Sequence, residues 1–336
     1  MRRLIRDNQA LPHLGPSGST RLASNGAESL GAHCEGPFLN PTKNGIHKVD
    51  VMRSAIHGFD DLEECYGSTN IASRSTTPPR IKMITAAPEI ASMTSCIPSL
   101  VERGIVFSMG HTEATFEEAE VAIGQGCTMI THLFNAMRPL HHRNPGPFGT
   151  LGTSSSNVSA PSRPYFGIIA DGIHLHPTSI KIAFNAHPDG FILVTDAMYL
   201  LGMPDGTYDW TNGSRITKVG SSLTLAGTDK IAGSSITLVE CVSNFLNWSG
   251  ASLEEAIRGV TSTPARMLGL EGTKGCLSAG ADADLVVLDE IVDDESGERR
   301  LVVEQVWKFG VKVFDKEEND EDKSEGLLKG EKEGRK

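Results

Sequence analysis

The chain lacks three features that would direct it to a membrane or to nucleic acid. No apolar run approaches the roughly 20 residues that a membrane-spanning helix requires. The first residues, Met1–Asp7, are basic but are not followed by the apolar stretch of a signal peptide. Positive charge is in deficit, because 31 Lys and Arg stand against 42 Asp and Glu and leave a formal net charge of −11 at pH 7. Neither a membrane nor nucleic acid is therefore an expected partner.

Cysteine is scarce as well, and its spacing excludes a disulfide framework. The 6 Cys among 336 residues form no C-x-x-C pair, which favours a reduced, cytoplasmic setting. A hydrophobic content of 39%, with 35 Gly and 17 Pro, allows a large core with many turns and excludes a coiled coil or a wholly disordered chain. The length suggests two domains of about 150 residues, although an α/β barrel often uses roughly 200–250 residues as one.

Short apolar runs recur from residue 27 onward. Each is bounded by turn formers, which is typical of strands buried on both faces of a parallel sheet. The six runs are Ser29–Cys34, Ile81–Ala86, Ile105–Met109, Cys127–Ile130, Tyr165–Ile169 and Phe191–Thr195. Helical segments lie between them, and alternation of strands and helices indicates βαβ crossovers. The fold class is therefore α/β, an incomplete (β/α)8 barrel with about six units over residues 27–273.

Helix starts are marked by three local patterns. Thr115 with Glu118, and Ser252 with Glu255, have the spacing of a capping box. Thr263 before Pro264 predicts a further cap, followed by proline at the first helical position.

The regions outside the alternating strands and helices have distinct compositions. Residues 1–26 carry no periodic pattern and are expected to be irregular, and the Ser-rich segment 151–162 is expected to be an extended loop. Alternation within residues 274–314 predicts a small β layer. Residues 315–336 are almost wholly charged or glycine and are expected to form a disordered tail.

Ionisable side chains follow five of the six predicted strands. They are Glu35, His111, His132, His174 and Asp196. Because the carboxyl ends of barrel strands surround the active site, these side chains should meet at one mouth. One Glu and two His suit a catalytic divalent metal with a position left for water, and a nearby Asp can move a proton. A single His after a strand is usually an ordinary loop residue, so the hypothesis depends on their convergence.

Longer motifs around these residues carry a resemblance. The segments Glu35–Pro41, Gly110–Thr115, Thr131–Met137, Ala170–His174 and Val194–Ala197 resemble the N-acetylglucosamine-6-phosphate deacetylases of the amidohydrolase superfamily. The match runs in order from about residue 26 to residue 289. The segment from His132 to Met137, together with Arg143, is its most specific part and indicates a sugar phosphate. Glu89 also matches, and we interpret it as structural.

The resemblance implies an enzyme of amino-sugar catabolism that hydrolyses N-acetylglucosamine 6-phosphate to glucosamine 6-phosphate and acetate. It makes Glu35, His111 and His132 the ligands of one divalent metal ion per subunit, and Asp196 the proton donor and acceptor. A Glu with two His suits Zn²⁺, and Fe²⁺, Co²⁺ and Mn²⁺ are alternatives.

The resemblance also implies the substrate contacts. Asn135, Ala136 and Arg143 would hold the phosphate, with Arg143 reaching a neighbouring subunit of a homodimer. The sugar and the acetamide would be lined by Ile46, His47, Asp171, Gly172, Ile173 and His174, and the pocket would be closed by Ile231, Ala232 and Gly233.

The scaffold departs from that family in length. An eight-stranded barrel needs eight βα units and six are found, while only 34 residues precede Glu35. Two alternatives therefore stay open. One is a truncated, inactive or non-catalytic form of the same enzyme. The other is an amidohydrolase acting on a cyclic amide, a substrate that would not need Arg143 or the Asn135-Ala136 pair.

Overall fold

A six-stranded parallel sheet organises the chain. The computed structural model describes residues 22–72, 79–153, 163–210 and 213–318. The sheet contains β1 (Ala32–Glu35), β2 (Ile81–Ala86), β3 (Val106–Met109), β4 (Met129–Ile130), β5 (Tyr165–Ile169) and β6 (Phe191–Val194), in that spatial order. All five pairings are parallel. The six predicted strands are thus confirmed, although the first begins three residues later than predicted and ends on Glu35.

Helices cover this sheet because its strands are apolar on both faces. They are α1 (Phe59–Tyr66), α2 (Met93–Glu102), α3 (Phe116–Gly124), α4 (Pro177–Ala186), α5 (Leu238–Ser249), α6 (Leu253–Arg258) and α7 (Ser262–Met267). Phe191 of β6 stacks on Phe245 of α5 with ring centroids 4.5 Å apart, and Phe184 of α4 packs edge-on against the same ring. These contacts bury the last strand of the sheet beneath two helices.

Two of the three predicted helix starts are confirmed. Capping boxes form at Thr115 and Ser252, and an unpredicted third forms at Thr237. The prediction that Thr263 caps a helix with Pro264 in first position was wrong. Helix α7 already begins at Ser262, so Pro264 is its third residue. Proline is tolerated there because N–H groups of the first turn have no partner within the helix.

A four-stranded antiparallel sheet, which the sequence analysis missed, follows β6. It consists of β7 (Gly206–Asp209), β8 (Arg215–Val219), β9 (Ser222–Leu225) and β10 (Ile231–Ser234). It encloses a small core of Leu200, Ile216, Leu223 and Ala232. The Ser234 backbone carbonyl accepts from the Met198 N–H, and the Ser234 backbone N–H donates to the Asp196 carbonyl. Strand β10 therefore lies against the chain just after β6.

The carboxyl-terminal β layer is a three-stranded antiparallel sheet. Its strands are β11 (Leu285–Val292), β12 (Arg299–Lys308) and β13 (Val311–Asp315). The prediction that the disordered tail begins at residue 315 was therefore wrong for residues 315–318, because Asp315 ends β13 and is buried and residues 316–318 are helical. Likewise, Leu151 is buried in a short 3-10 helix, Gly146–Gly152, rather than in an extended loop. The rest of that loop (154–162), residues 319–336 of the tail and residues 1–21 lie outside the described residues.

An ion cluster ties the beginning of the described chain to this terminal sheet. The Lys274 ammonium lies 2.8 Å from carboxylate oxygens of both Glu28 and Asp282, and 2.5 Å from Asp284. Lys308 of β12 contacts Asp284 at 2.7 Å. Glu28 precedes β1 and Asp284 precedes β11, so the cluster joins both ends of the fold.

The parallel sheet does not close on itself within the described ranges. There β1 pairs with β2 alone, and the opposite edge of the sheet is β6. This agrees with the expected six units of an incomplete barrel. Across the same ranges, no helix has both the length and the apolar character needed to cross a bilayer.

Candidate active site

Three predicted metal ligands meet at the carboxyl edge of the parallel sheet. Glu35 is the last residue of β1, and its Oε1 lies 2.5 Å from His111 Nε2 and 3.0 Å from His132 Nε2. The two imidazole Nε2 atoms are 3.2 Å apart. Both His side chains are buried, whereas that of Glu35 is 25% exposed. The carboxyl ends of β1, β3 and β4 therefore bring together three side chains separated by up to 97 positions in the sequence.

The hydrogen bonds of His111 define which of its nitrogen atoms faces this cluster. Its Nδ1–H donates to the carbonyl oxygen of Lys43 at 2.6 Å, so in the neutral ring Nε2 carries a lone pair directed at Glu35. A carboxylate and two imidazole lone pairs repel one another unless a positive charge lies among them. Ligand atoms about 2 Å from one ion lie roughly 3 Å from each other, close to the spacing found here. The donor set therefore fits a divalent cation.

A fourth candidate ligand stands beside these three. His47 Nε2 lies 3.9 Å from Glu35 Oε1, and its ring meets that of His111 edge-on at 5.0 Å. The ligand atoms of Glu35, His47 and His111 all lie within 4.8 Å of one another. His47 can therefore face either a bound ion or the substrate next to it.

The cluster shifts the acidities of its members. Burial alone would raise the pKa of Glu35, but the three imidazole rings beside its carboxylate, those of His111, His132 and His47, outweigh burial and hold that pKa well below its usual range. Burial would lower the pKa of His132, but its hydrogen bond to Glu35 raises it. Glu35 thus stays an anion, and the site attracts positive charge.

Asp196 has the opposite shift. It follows β6 and opens into the same cavity, where the surrounding walls displace water and raise its pKa. The nearby Glu35 carboxylate raises the pKa further, while His132 opposes the shift. A carboxylate with a raised pKa exchanges protons more readily near neutral pH, as a general acid–base residue must.

The backbone is unusual at three of these positions. His111, His132 and Asp196 have positive φ angles of 49°, 26° and 49°, in the left-handed region that non-glycine residues rarely adopt. Such conformations persist where the surrounding structure imposes them and cluster at functional sites. Only glycine fits at position 110, just before His111, because a Cβ there would lie 2.8 Å from side-chain carbons of Thr85 and Thr131.

These side chains open into a cavity of about 810 Å³. Eleven of the predicted site residues line it: Glu35, Ile46, His47, His111, His132, Asn135, Ala136, His174, Asp196, Ile231 and Gly233. Several other residues of the cavity wall were not predicted from the sequence, including Lys48, Met52, Arg53, Met198 and Trp210. Trp210 lies directly after β7, so it was missed together with that sheet. The alternation of polar and apolar residues in Ser222–Leu225 is the sequence signal that could have revealed the sheet.

Five other predicted residues do not lie in the cavity wall. They are Arg143, Asp171, Gly172, Ile173 and Ala232. The side chain of Asp171 is fully buried and accepts hydrogen bonds from His174 Nδ1 at 2.6 Å and from two backbone N–H groups. Asp171 therefore supports His174 and does not face the cavity. Arg143 is exposed on the surface.

Comparison with known proteins places this chain in a family. The Amidohydrolase family profile matches residues 16–313. An N-acetylglucosamine-6-phosphate deacetylase from Danio rerio is 40% identical over 284 residues, which are 84% of this chain and 67% of the relative. The chain belongs to the amidohydrolase family, with the N-acetylglucosamine-6-phosphate deacetylases. The human member is 42% identical over 79% of this chain and 62% of its own length.

A solved structure of this family has the same fold. N-acetyl-D-glucosamine-6-phosphate deacetylase from Mycobacterium smegmatis superposes with a TM-score of 0.70 at 34% identity, covering 84% of this chain and 69% of the other. An Escherichia coli relative named N-acetylgalactosamine-6-phosphate deacetylase is 32% identical over 85% of this chain and 68% of its own length. The chain thus spans about two thirds of the length of these family members.

Proposed function

We propose that this chain is a divalent-metal-dependent hydrolase that removes the acetyl group from N-acetylglucosamine 6-phosphate, giving glucosamine 6-phosphate and acetate. The observation that carries the proposal is the convergence of Glu35, His111 and His132 on one point of a cavity that Asp196 also lines. The names of its relatives supply the substrate class. A role in amino-sugar catabolism follows from these products.

Glu35, His111 and His132 would hold the ion, with His47 next to it. Their mixed nitrogen and oxygen donors suit Zn²⁺, and Fe²⁺, Co²⁺ or Mn²⁺ can take the same set. When bound, the ion supplies a Lewis acid for the acetamide carbonyl and acidifies the attacking water.

Asp196 would perform the proton transfers. Its carboxylate accepts a proton from the attacking water as the new C–O bond forms. It then returns that proton to the nitrogen as the C–N bond breaks, so acetate and a free amine leave. Because the surrounding cavity walls displace water and raise its pKa, Asp196 is a better proton acceptor than an aspartate on the open surface.

His174 and His47 would orient the substrate. The Nδ1–H of His174 is held by Asp171, which directs Nε2 towards the cavity. His47 Nε2 lies 3.9 Å from Glu35 Oε1 and can donate to the developing oxyanion. Asn135 and Ala136 line the same wall and would meet the phosphate. Arg143 lies on the surface, so in this proposal it serves the phosphate in a neighbouring subunit of a homodimer.

Metal content and acetate release, measured on the purified 336-residue chain, test the proposal. We expect about one ion per chain and release of acetate from N-acetylglucosamine 6-phosphate. The galactosamine isomer is the matched competitor, because one relative is named for it. A folded chain that binds metal and releases no acetate would favour the non-catalytic alternative. The observation that favours this alternative is the six-stranded parallel sheet, which does not close into a barrel within the described residues.

A further inference from the structure

Glu89 lies outside the cavity, yet it contacts the loops that carry two of the proposed metal ligands. It follows β2 in the segment Ala87-Pro88-Glu89, is half-buried and is not among the residues of the cavity wall. Its Oε1 accepts from the Asn40 amide at 2.9 Å and from the Glu113 backbone N–H at 2.6 Å. Its Oε2 accepts from the Thr112 hydroxyl at 2.5 Å.

These three donors belong to the segments that hold Glu35 and His111. Asn40 is five residues after Glu35, and Thr112 and Glu113 directly follow His111. One carboxylate therefore joins the loops after β1, β2 and β3. The Asn40 backbone N–H also donates to the His111 carbonyl at 2.9 Å, which fastens the first loop to the third a second time.

The same contacts continue to the imidazole ring of His111. Glu113 Oε1 forms an ion pair with Lys43 Nζ at 2.7 Å, and the Lys43 carbonyl accepts from His111 Nδ1 at 2.6 Å. Gly45, two residues further on, lies so close that a Cβ there would be 3.1 Å from His111 Cε1. From Glu89 the contacts thus run through Glu113 and Lys43 to the ring that faces Glu35.

We propose that Glu89 is a positioning residue that orients His111 towards Glu35 and thereby sets the affinity of the site for a divalent cation. This rests on the proposed function for the cation site alone and not on turnover. Charge-assisted hydrogen bonds are short and roughly twice as strong as neutral ones. All three donors point at one half-buried charge, so its removal leaves at least one of them unpaired. Partners that orient metal ligands typically change metal affinity 10–100-fold when mutated.

Glu89→Gln tests this with little change in shape. The amide keeps one acceptor oxygen and turns its NH₂ group towards existing donors. We expect the dissociation constant for Zn²⁺, measured by calorimetry on the full chain, to rise about 10–100-fold. The absorption spectrum of the Co²⁺-loaded chain should also change, because it reports coordination geometry. The control is Glu102→Gln, an exposed carboxylate at the end of α2, which should alter neither readout.

Two further variants keep the test decisive if Glu89→Gln folds poorly. Thr112→Val removes one of the three donors, together with the acceptor of the Ala114 N–H, and Thr112→Ser, which keeps the hydroxyl, is its control. With the Glu89 charge intact, we expect Thr112→Val to lose less Zn²⁺ affinity than Glu89→Gln and to bind more weakly than Thr112→Ser. Glu89→Asp keeps the charge but is one methylene shorter, and it should fall between wild type and Glu89→Gln.

Three outcomes separate the proposals. If folded Glu89→Gln binds Zn²⁺ within about threefold of wild type with an unchanged Co²⁺ spectrum, or if folded Thr112→Val binds Zn²⁺ as tightly as Thr112→Ser, the positioning role is overturned. If wild type binds Zn²⁺ without releasing acetate while the variants bind more weakly, the proposed function fails and the positioning role stands. If folded wild type binds no divalent cation, both are overturned.

Discussion

Removing the charge of Lys274 should destabilise the protein far more than removing an exposed lysine. Its ammonium lies within 2.8 Å of three carboxylates, those of Glu28, Asp282 and Asp284. The Lys274 side chain is 17% exposed, and the carboxylates are 10%, 15% and 26% exposed. In Lys274→Met, Asp284 and Glu28 would keep Lys308 at 2.7 and 3.8 Å.

The size of this effect follows from the exposure of the cluster. Breaking a fully buried ion pair costs about 3–5 kcal/mol, because a charge is left without a partner. Since water reaches part of each carboxylate, we expect a loss of about 2–3 kcal/mol in the free energy of unfolding. Urea titration at pH 7 measures it, with Lys230→Met as the control for an exposed lysine. A loss below about 1 kcal/mol, in the range of surface ion pairs, would refute the reasoning.

Three other predictions concern separate parts of the molecule. Burial lowers the pKa of His187 to about 4, so its contribution to stability is full above about pH 6.5. It is lost as the pH falls towards 4, at about 1.4 kcal/mol per pH unit, and a pH series of urea titrations should be flatter for His187→Gln. Gly110→Ala should cost about 1–3 kcal/mol by overpacking against Thr131, whereas Gly124→Ala, which meets open space, should not destabilise; thermal melts compare the two. Asp196→Asn should keep bound metal but lower kcat about 10²–10⁴-fold in an acetate-release assay, and unchanged turnover would exclude Asp196 from the proton transfers.

The strands of the parallel sheet could be predicted because burial on both faces leaves a continuous apolar run. Tyr165–Ile169 matched its predicted limits for this reason. The four-stranded sheet was missed because β7 is largely exposed and has no continuous apolar run. The residues of the sheet also lay within the range predicted to consist of βα units. Trp210, which lies directly after β7 and lines the cavity, was missed with it, whereas Ile231 and Gly233 of β10 were predicted from the resemblance.

The meeting of the candidate site residues was predictable for a topological reason. Parallel strands end at one edge, so Glu35, His111, His132, His174 and Asp196 could be grouped before their distances were known, and the family resemblance implied that the first three are the metal ligands. The contacts that orient them were not predictable. The acceptor for His111 Nδ1 is the backbone carbonyl of Lys43, and a carbonyl has no residue type to recognise in a sequence. Glu89 was interpreted as structural. Its connection to His111 could not be predicted, because its three donors meet only when the loops are folded.

The most direct test of the account is the stoichiometry of bound metal together with acetate release by the purified chain. We predict about one divalent ion per chain, turnover of N-acetylglucosamine 6-phosphate, and loss of the ion when Glu35, His111 or His132 is replaced by Ala. A folded chain that binds no ion and releases no acetate would contradict the central claim that these three side chains form a catalytic metal site.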